Sequence, residues 1–108
     1  KTIYFAFDTS RLSSAAKSTL EQNAMWLKGA SSVDIQIEGH CDERGGQQYN
    51  LALGERRAKA VKSYLEALGV ATNRVSVISY GKERPSTFGH DEQAWSKNRR
   101  ANFIVTAK

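Results

Sequence analysis

Apolar residues recur at steps of three and four between Leu51 and Leu68, and this spacing is the strongest constraint on how the chain can fold. Residues at that spacing lie on one face of an α-helix, so the segment is predicted to be an amphipathic helix. Gly69 supplies a C-terminal stop, and Glu55 and Lys59 have the spacing of an ion pair on the opposite face. Such a helix has to bury its apolar face against another layer of structure.

The segments on either side of this helix supply that layer. Apolar residues that alternate with polar ones predict strands, and a second three-and-four pattern after a Ser13 cap predicts an earlier helix that closes at Gly29. Residues 40–49 are predicted to form a polar loop, loosened by two glycines. The order strand, helix, strand, helix, strand, short helix, strand predicts an α/β (α+β) two-layer sandwich. Its mixed four-stranded sheet carries the helices on one face. The predicted strands contain Ile3, Phe5 and Phe7; Val33, Ile35 and Ile37; Val75, Val77 and Ile78; and Ala101, Phe103 and Val105, and the short helix covers residues 91–97.

Length and composition are those of one folded domain that spans residues 1–108. Apolar residues make up 40% of the chain and charged residues 25%, as in ordinary globular proteins, and no apolar run is long enough for a membrane span. The net charge of +5 favours acidic partners. The basic residues are interspersed with acidic ones, however, which indicates a solvated mixed surface. The single Cys41 excludes an internal disulfide.

The run His40-Cys41-Asp42 is the first candidate for chemistry. Adjacent side chains at the end of a strand point to alternate sides, so these three are not expected to converge on a metal ion. A nucleophile formed by Cys41 and His90 has no specific spacing to support it. We therefore expect no catalysis, no metal and no cofactor.

Nucleic-acid binding is the second candidate, because basic residues are frequent between Arg44 and Arg100. The exposed face of the long helix alternates in sign, however, and the Gly45-Gly46 pair lacks the Lys-Ser or Lys-Thr of a phosphate loop. Nucleic acid is therefore not an expected partner, although a basic binder of nucleic acid or another anionic polymer remains the alternative of a different class.

Arg57 is the third candidate, because it shares with Leu53 a stripe of the long helix beside the apolar face. A half-buried guanidinium needs acceptors, and Asp42 is the nearest sensible one in the sequence. Two interpretations follow from this pattern. Either Asp42 and Arg57 form an internal salt bridge that ties down the loop, or both charges face a cleft and share a dipolar ligand.

Two segments then resemble the signature of OmpA-like peptidoglycan-binding domains. These are residues 39–45 (GHCDERG) and 49–58 (YNLALGERRA), and further matches at 5–8, 79–85, 89–92 and 98–101 follow in the same order. The likeness is strongest to the lipoprotein subgroup, in which Thr is more usual at the positions of Cys41 and Gly46. The resemblance covers nearly the whole chain.

The resemblance implies binding of diaminopimelate in the peptidoglycan stem peptide, without cleavage. Asp42 would accept hydrogen bonds from the ligand's ammonium, and Arg57 would clamp its carboxylate through two parallel hydrogen bonds. Asn50 would orient the ligand or the loop, and backbone amides around Phe7 and Asp8 would cap another carboxylate. The alternative for Asp8 is that it is only a turn or cap residue. Arg99 and Arg100 are expected to support the fold or to be rim charges rather than ligand clamps, with the alternative that one of them reaches the site. The predicted ligand-binding set is Phe7, Asp8, Asp42, Asn50, Leu53 and Arg57.

The same resemblance implies where such a domain works and with what. It implies the periplasm, at the inner face of the Gram-negative outer membrane, with attachment through an N-terminal lipid anchor that is not present in this chain. The implied partners are peptidoglycan and a TolB-like periplasmic β-propeller of the Tol envelope system. The alternative within the family is the wall-binding domain of another OmpA-like protein.

Overall fold

The helices and strands follow one another in the order that the sequence predicts. The structure is a computed structural model that describes residues 2–30 and 32–107, apart from the side chain at position 107. A short 3₁₀ turn, Thr72–Arg74, was not predicted and precedes the third strand. The elements are β1 (Ile3–Tyr4), α1 (Ser14–Gly29), β2 (Asp34–His40), α2 (Gln47–Ala67), β3 (Val75–Gly81), α3 (Glu92–Asn98) and β4 (Arg100–Ala107).

The strands form a mixed sheet in the order β1-β4-β2-β3. β2 and β3 are parallel, because α2 crosses over between them, whereas β4 runs antiparallel to both β1 and β2. The pairing of β2 with β3 shifts register between Gly39 and His40. This irregularity lies at the end of β2 where the polar loop begins. The predicted fold class is confirmed.

The core lies between one face of the sheet and the apolar stripes of α1 and α2. The Ser13 hydroxyl accepts a hydrogen bond from the Ala16 amide at 3.1 Å, which confirms the predicted cap. Strand residues that alternate along β2 and β4 point into this layer. The buried set includes Ile3, Phe5, Leu20, Ala24, Leu27, Ile35, Ile37, Ala58, Val61, Leu65 and Ala101.

Two glycines let α2 lie directly on β2. A Cβ atom at Gly39 would lie 1.7 Å from the carbonyl oxygen of Gly54, so no larger residue fits there. A Cβ atom at Gly54 would lie 2.3 Å from the Ser79 hydroxyl. This close approach brings Arg57, one turn further along α2, to the C-terminal end of β2.

The first strand is shorter than predicted. Phe5 is buried, but Phe7 is 55% exposed and does not belong to the core face. The Phe5 amide still donates to the carbonyl of Arg99, and the chain then turns away from the sheet at Asp8, which adopts a left-handed backbone conformation with φ of 54°. The alternation of apolar and polar residues in the sequence does not reveal this turn.

The predicted loop over residues 40–49 is also shorter in the structure. α2 already begins at Gln47 after a Gly46 cap with extended backbone, and the Asn50 amide donates to the Gly46 carbonyl at 3.0 Å. Asn50 therefore lies within the first turn of the helix. In the described parts of the chain, no helix is both long and apolar enough to cross a membrane.

Candidate functional site

A cavity of about 200 Å³ opens where β2 ends and α2 begins. Three parts of the chain form its wall: the turn after β1, the loop after β2 and the first turns of α2. All six predicted ligand-binding residues line it, although their roles toward a ligand stay predictions. The lining residues are Phe7, Asp8, Cys41, Asp42, Arg44, Gly45, Tyr49, Asn50, Leu53 and Arg57.

Arg57 is the most deeply buried charge of this wall. Only 1% of it is exposed, so the expectation of a half-buried guanidinium is wrong. Its Nε donates to the carbonyl of Thr9 at 2.8 Å, Nη1 to that of His40 at 2.9 Å, and Nη2 to that of Ala6 at 3.0 Å. Arg57 thus joins the turn after β1 to the end of β2.

The internal salt bridge between Asp42 and Arg57 does not form. Three backbone carbonyls satisfy the guanidinium instead, and these acceptors carry no net charge. Burial lowers the pKa of Arg57, yet an arginine so rich in acceptors stays protonated at neutral pH. Nη1 and Nη2 each carry a second N–H, so Arg57 retains donor capacity for an anion in the cavity.

Asp42 is held by two other arginines. Its Oδ1 accepts from the Arg44 amide at 3.0 Å and from Arg44 Nε at 3.2 Å. Its Oδ2 accepts from Arg44 Nη2 at 2.8 Å and from Arg99 Nη1 at 3.4 Å. Burial by itself raises the pKa of Asp42, but the hydrogen bonds and charge of Arg44, with help from Arg99, outweigh it and hold that pKa below its ordinary value.

Arg44 is a site residue that the sequence analysis missed. Its guanidinium carbon lies 3.8 Å from the ring centroid of Phe7 and 4.1 Å from that of Trp95, so the cation is stacked between two aromatic rings. One signal in the sequence points to it. An aspartate often accepts from the amide two residues on, as Asp42 does here from Arg44.

The two arginines before and within β4 have different surroundings. Arg99 supports the fold as expected, since its Nε donates to the carbonyl of Phe5 at 2.8 Å, but it also reaches Asp42 and bonds Glu92 at 2.7 Å. Arg100 donates to the carbonyl of Arg84 at 2.9 Å. Arg99 is therefore part of the site's electrostatics.

The turn before the cavity is tied to α2. Tyr49 donates its hydroxyl hydrogen to the carboxylate of Asp8, which raises the pKa of Tyr49. Asp8 is the residue with the left-handed backbone, a conformation that aspartate tolerates better than most. The capping of a carboxylate by the amides of Phe7 and Asp8 stays a prediction.

The loop between β2 and α2 is pinned at several carbonyls, although its two glycines predicted a loose segment. Asn50 Nδ2 donates to the carbonyl of Arg44 at 2.7 Å, and Lys82 Nζ donates to that of Gly45 at 2.7 Å. The Cys41 thiol donates to the carbonyl of Asn50 at 3.2 Å. Asn50 therefore orients the loop.

The side chains of His40, Cys41 and Asp42 have partners in different directions. His40 Nε2 lies 3.2 Å from a Glu38 oxygen, while the other two bond α2 and Arg44. Burial raises the pKa of the Cys41 thiol, which keeps it protonated and a poor nucleophile. Across residues 2–30 and 32–107, no cluster of three His, Cys, Asp or Glu side chains is placed to hold a metal ion.

Comparisons with known proteins agree on one family. The model of the OmpA family matches residues 4–99. The chain is 52% identical over 102 residues to the peptidoglycan-associated lipoprotein of Pseudomonas aeruginosa, covering 94% of this chain and 60% of the relative. It is 48% identical to the protein of that name from Pasteurella multocida, covering 93% and 67%. The chain thus spans about two thirds or less of the length of these relatives.

Solved structures agree as well. The crystal structure of the peptidoglycan-associated lipoprotein from Burkholderia pseudomallei superimposes with a TM-score of 0.95 at 42% identity, covering 98% of this chain and 90% of that one. The C-terminal domain of Helicobacter pylori MotB superimposes with a TM-score of 0.92 at 21% identity, covering 100% and 85%. The second likeness concerns the fold alone.

Proposed function

This chain belongs to the OmpA family, and from that premise we propose that it binds the diaminopimelate-containing stem peptide of peptidoglycan without cleaving it. One observation carries the proposal. Asp42 and Arg57 line the same cavity as opposite charges, and each is satisfied by partners other than the other. A buried pair that existed only for stability would be expected to bond directly.

The free end of diaminopimelate has an ammonium and a carboxylate on one carbon. In the proposed complex the ammonium donates to Asp42, and the carboxylate accepts from the second N–H groups of Arg57. Both residues are nearly inaccessible to water, at 4% and 1% exposure, so the hydrogen bonds form in a medium where they are strong.

The remaining wall shapes the cavity around this contact. Leu53 supplies an apolar surface, and Asn50 fixes the loop that carries Asp42. The start of α2 adds partial positive charge, which favours a ligand carboxylate. A second carboxylate of the stem peptide is proposed to lie on the amides of Phe7 and Asp8.

The proposed role is a non-covalent tether. Cys41 is buried and protonated, and the geometry of His40 and Asp42 offers it no base, which supports binding without catalysis. Relatives at about half identity are named peptidoglycan-associated lipoproteins. We therefore propose a periplasmic location at the outer membrane through a lipid anchor, a role in the Tol–Pal envelope system and a TolB-like partner. Single sites can be weak, because the wall repeats the ligand densely.

Pull-down with isolated sacculi tests this proposal. The protein is expected to sediment with sacculi, free diaminopimelate is expected to compete, and Asp42→Asn is expected to stay in solution. Arg56→Gln is the matched control, since it removes a neighbouring but exposed guanidinium. Binding that is indifferent to diaminopimelate and falls steeply with salt would contradict the proposal and favour a general anionic-polymer binder.

A further inference from the structure

Donors of the protein itself fill every acceptor position of the Asp42 carboxylate. A carboxylate oxygen accepts about two hydrogen bonds, and both oxygens of Asp42 accept two, three of the four from Arg44 and one from Arg99. An incoming ammonium therefore finds the acceptor already used. One of the resident donors has to leave before a cation of a ligand can bind there.

Arg44 is the donor that can leave. Its side chain is 31% exposed and bonds the protein through Asp42. Arg99 is 9% exposed in its side chain, lies further from Asp42 at 3.4 Å, and is anchored by Phe5 and Glu92. Displacing Arg99 would break the fold at β4, whereas displacing Arg44 frees a loop side chain.

We propose that the guanidinium of Arg44 holds the position on Asp42 that a ligand ammonium would take, and that a ligand binds by exchanging its own ammonium for it. This inference rests on the proposed function and adds a specificity-determining residue to it. The rings of Phe7 and Trp95 stack on the guanidinium of Arg44 and hold it beside Asp42.

The exchange keeps the charge at Asp42 balanced. One cation leaves the carboxylate and another arrives, so the net gain comes from the ligand carboxylate that reaches Arg57. The displaced guanidinium stays in the field of Glu43 and Glu92, whose charges already favour its protonated form. A ligand without an ammonium cannot make the exchange and leaves Arg44 in place.

Two muropeptides test this exchange by calorimetry: one with a free diaminopimelate end, and the same molecule with that amine acetylated. Removing the resident competitor in Arg44→Gln should raise the affinity for the free amine about tenfold, the scale of one charge-assisted hydrogen bond. The affinity for the acetylated form should not change. Arg56→Gln is the control, since it removes an exposed positive charge near the cavity and should leave both affinities unchanged.

Several results would overturn the inference. These are a loss or no change of affinity in Arg44→Gln, an equal gain for both muropeptides, or an equal gain in Arg56→Gln. If the wild-type protein binds neither muropeptide, the proposed function fails and takes the inference with it. If the wild-type protein binds but any of the three results above is found, only the inference about Arg44 is overturned, and the proposed function stands.

A measurement on the wild-type protein avoids any folding defect of the variant. The Nε–H signal of Arg44 in an NMR spectrum reports its bond to Asp42 and its position between the two rings. Saturation with the free-amine muropeptide should shift this signal strongly and speed its exchange with water. An unchanged signal at saturation would show that Arg44 stays on Asp42, against the inference.

Discussion

Arg57 and Arg74 perform the same structural task at opposite ends of β2. Arg57 donates to three backbone carbonyls, one of them from His40 at the end of the strand. Arg74 also donates to three, one of them from Val33 just before the strand. Each guanidinium ties separate segments of the chain to the sheet.

The two arginines differ in the nearest carboxylate. Arg74 has Asp34 at 4.0 Å, an acid whose side chain is 46% exposed. Arg57 shares a cavity with Asp42, which other arginines hold. A buried arginine that bonds only backbone carbonyls, such as Arg74, is thus expected to have a structural role. Arg57 differs because an opposite charge, Asp42, lines the same cavity without bonding to it, and this arrangement favours a ligand-binding role.

The largest expected effects separate these two arginines. Arg57→Ala and Arg74→Ala each remove a guanidinium that bonds three backbone carbonyls, so each should lower the free energy of unfolding by about 3 kcal/mol. Urea unfolding measures this loss. At a temperature where both variants are folded, only Arg57→Ala should fail to sediment with sacculi. Equal binding by the two variants would contradict the assigned difference.

Asp42→Asn should have the next largest effect, and mainly on binding. The amide keeps its shape but loses the charge that attracts an ammonium, so the affinity for a diaminopimelate muropeptide should fall at least about tenfold. Calorimetry measures the affinity, and circular dichroism checks the fold. The matched substitution Asp34→Asn beside Arg74 should leave the affinity unchanged. Similar losses in both variants would remove the distinction between the two regions.

The sequence identifies the first of these regions better than the second. Helical spacing places Arg57 beside the apolar face of α2, and Asp42 is the nearest sensible acceptor in the loop before that helix. The carbonyls that Arg57 bonds belong to Ala6, Thr9 and His40, and backbone acceptors leave no pattern in a sequence. For the same reason nothing in the sequence marks Arg74 as a clamp.

The stacking of Arg44 between two aromatic rings was also not predicted from the sequence. Arg44 meets Phe7 and Trp95 only after the turn that follows β1 and the helix α3 have been brought to the loop that follows β2, because the three residues are far apart in the chain. Regular periodicity, by contrast, predicted the core face of α2, and the chemistry of a serine hydroxyl predicted the cap at Ser13. Tertiary contacts among irregular segments therefore account for most of what sequence reasoning missed.

The pH dependence of the unfolding free energy tests the charge of Asp42 separately from its role in binding. The folded pKa of Asp42 lies below its ordinary value near 3.8, so its contribution to stability is complete above that value and is lost as the pH falls through the folded pKa. The difference in unfolding free energy between the wild type and Asp42→Asn should be constant above about pH 5 and shrink below about pH 4. Urea unfolding at each pH measures it. A difference that grows on acidification would contradict the assigned direction.

Tyr49→Phe should have the smallest effect. It removes the hydrogen bond to Asp8 while the ring remains, and the pair is exposed to water. The free energy of unfolding should fall by less than about 1 kcal/mol, and affinity for the muropeptide should weaken only a few-fold through a looser turn. Calorimetry and urea unfolding measure both. An effect as large as that of Asp42→Asn would mean that the turn after β1, and not the charge pair, dominates recognition.

A double-mutant cycle between protein and ligand tests the central claim most directly. Affinities are measured for wild type, Asp42→Asn and Arg57→Lys against three muropeptides: unmodified, acetylated at the diaminopimelate amine, and amidated at the neighbouring carboxylate. Asp42 and the amine should be coupled: once Asp42 is replaced, acetylating the amine should cost little further binding free energy. Arg57 and the carboxylate should be coupled in the same way. Strictly additive losses, or coupling of Asp42 with the carboxylate, would contradict recognition of a zwitterion by two separated charges.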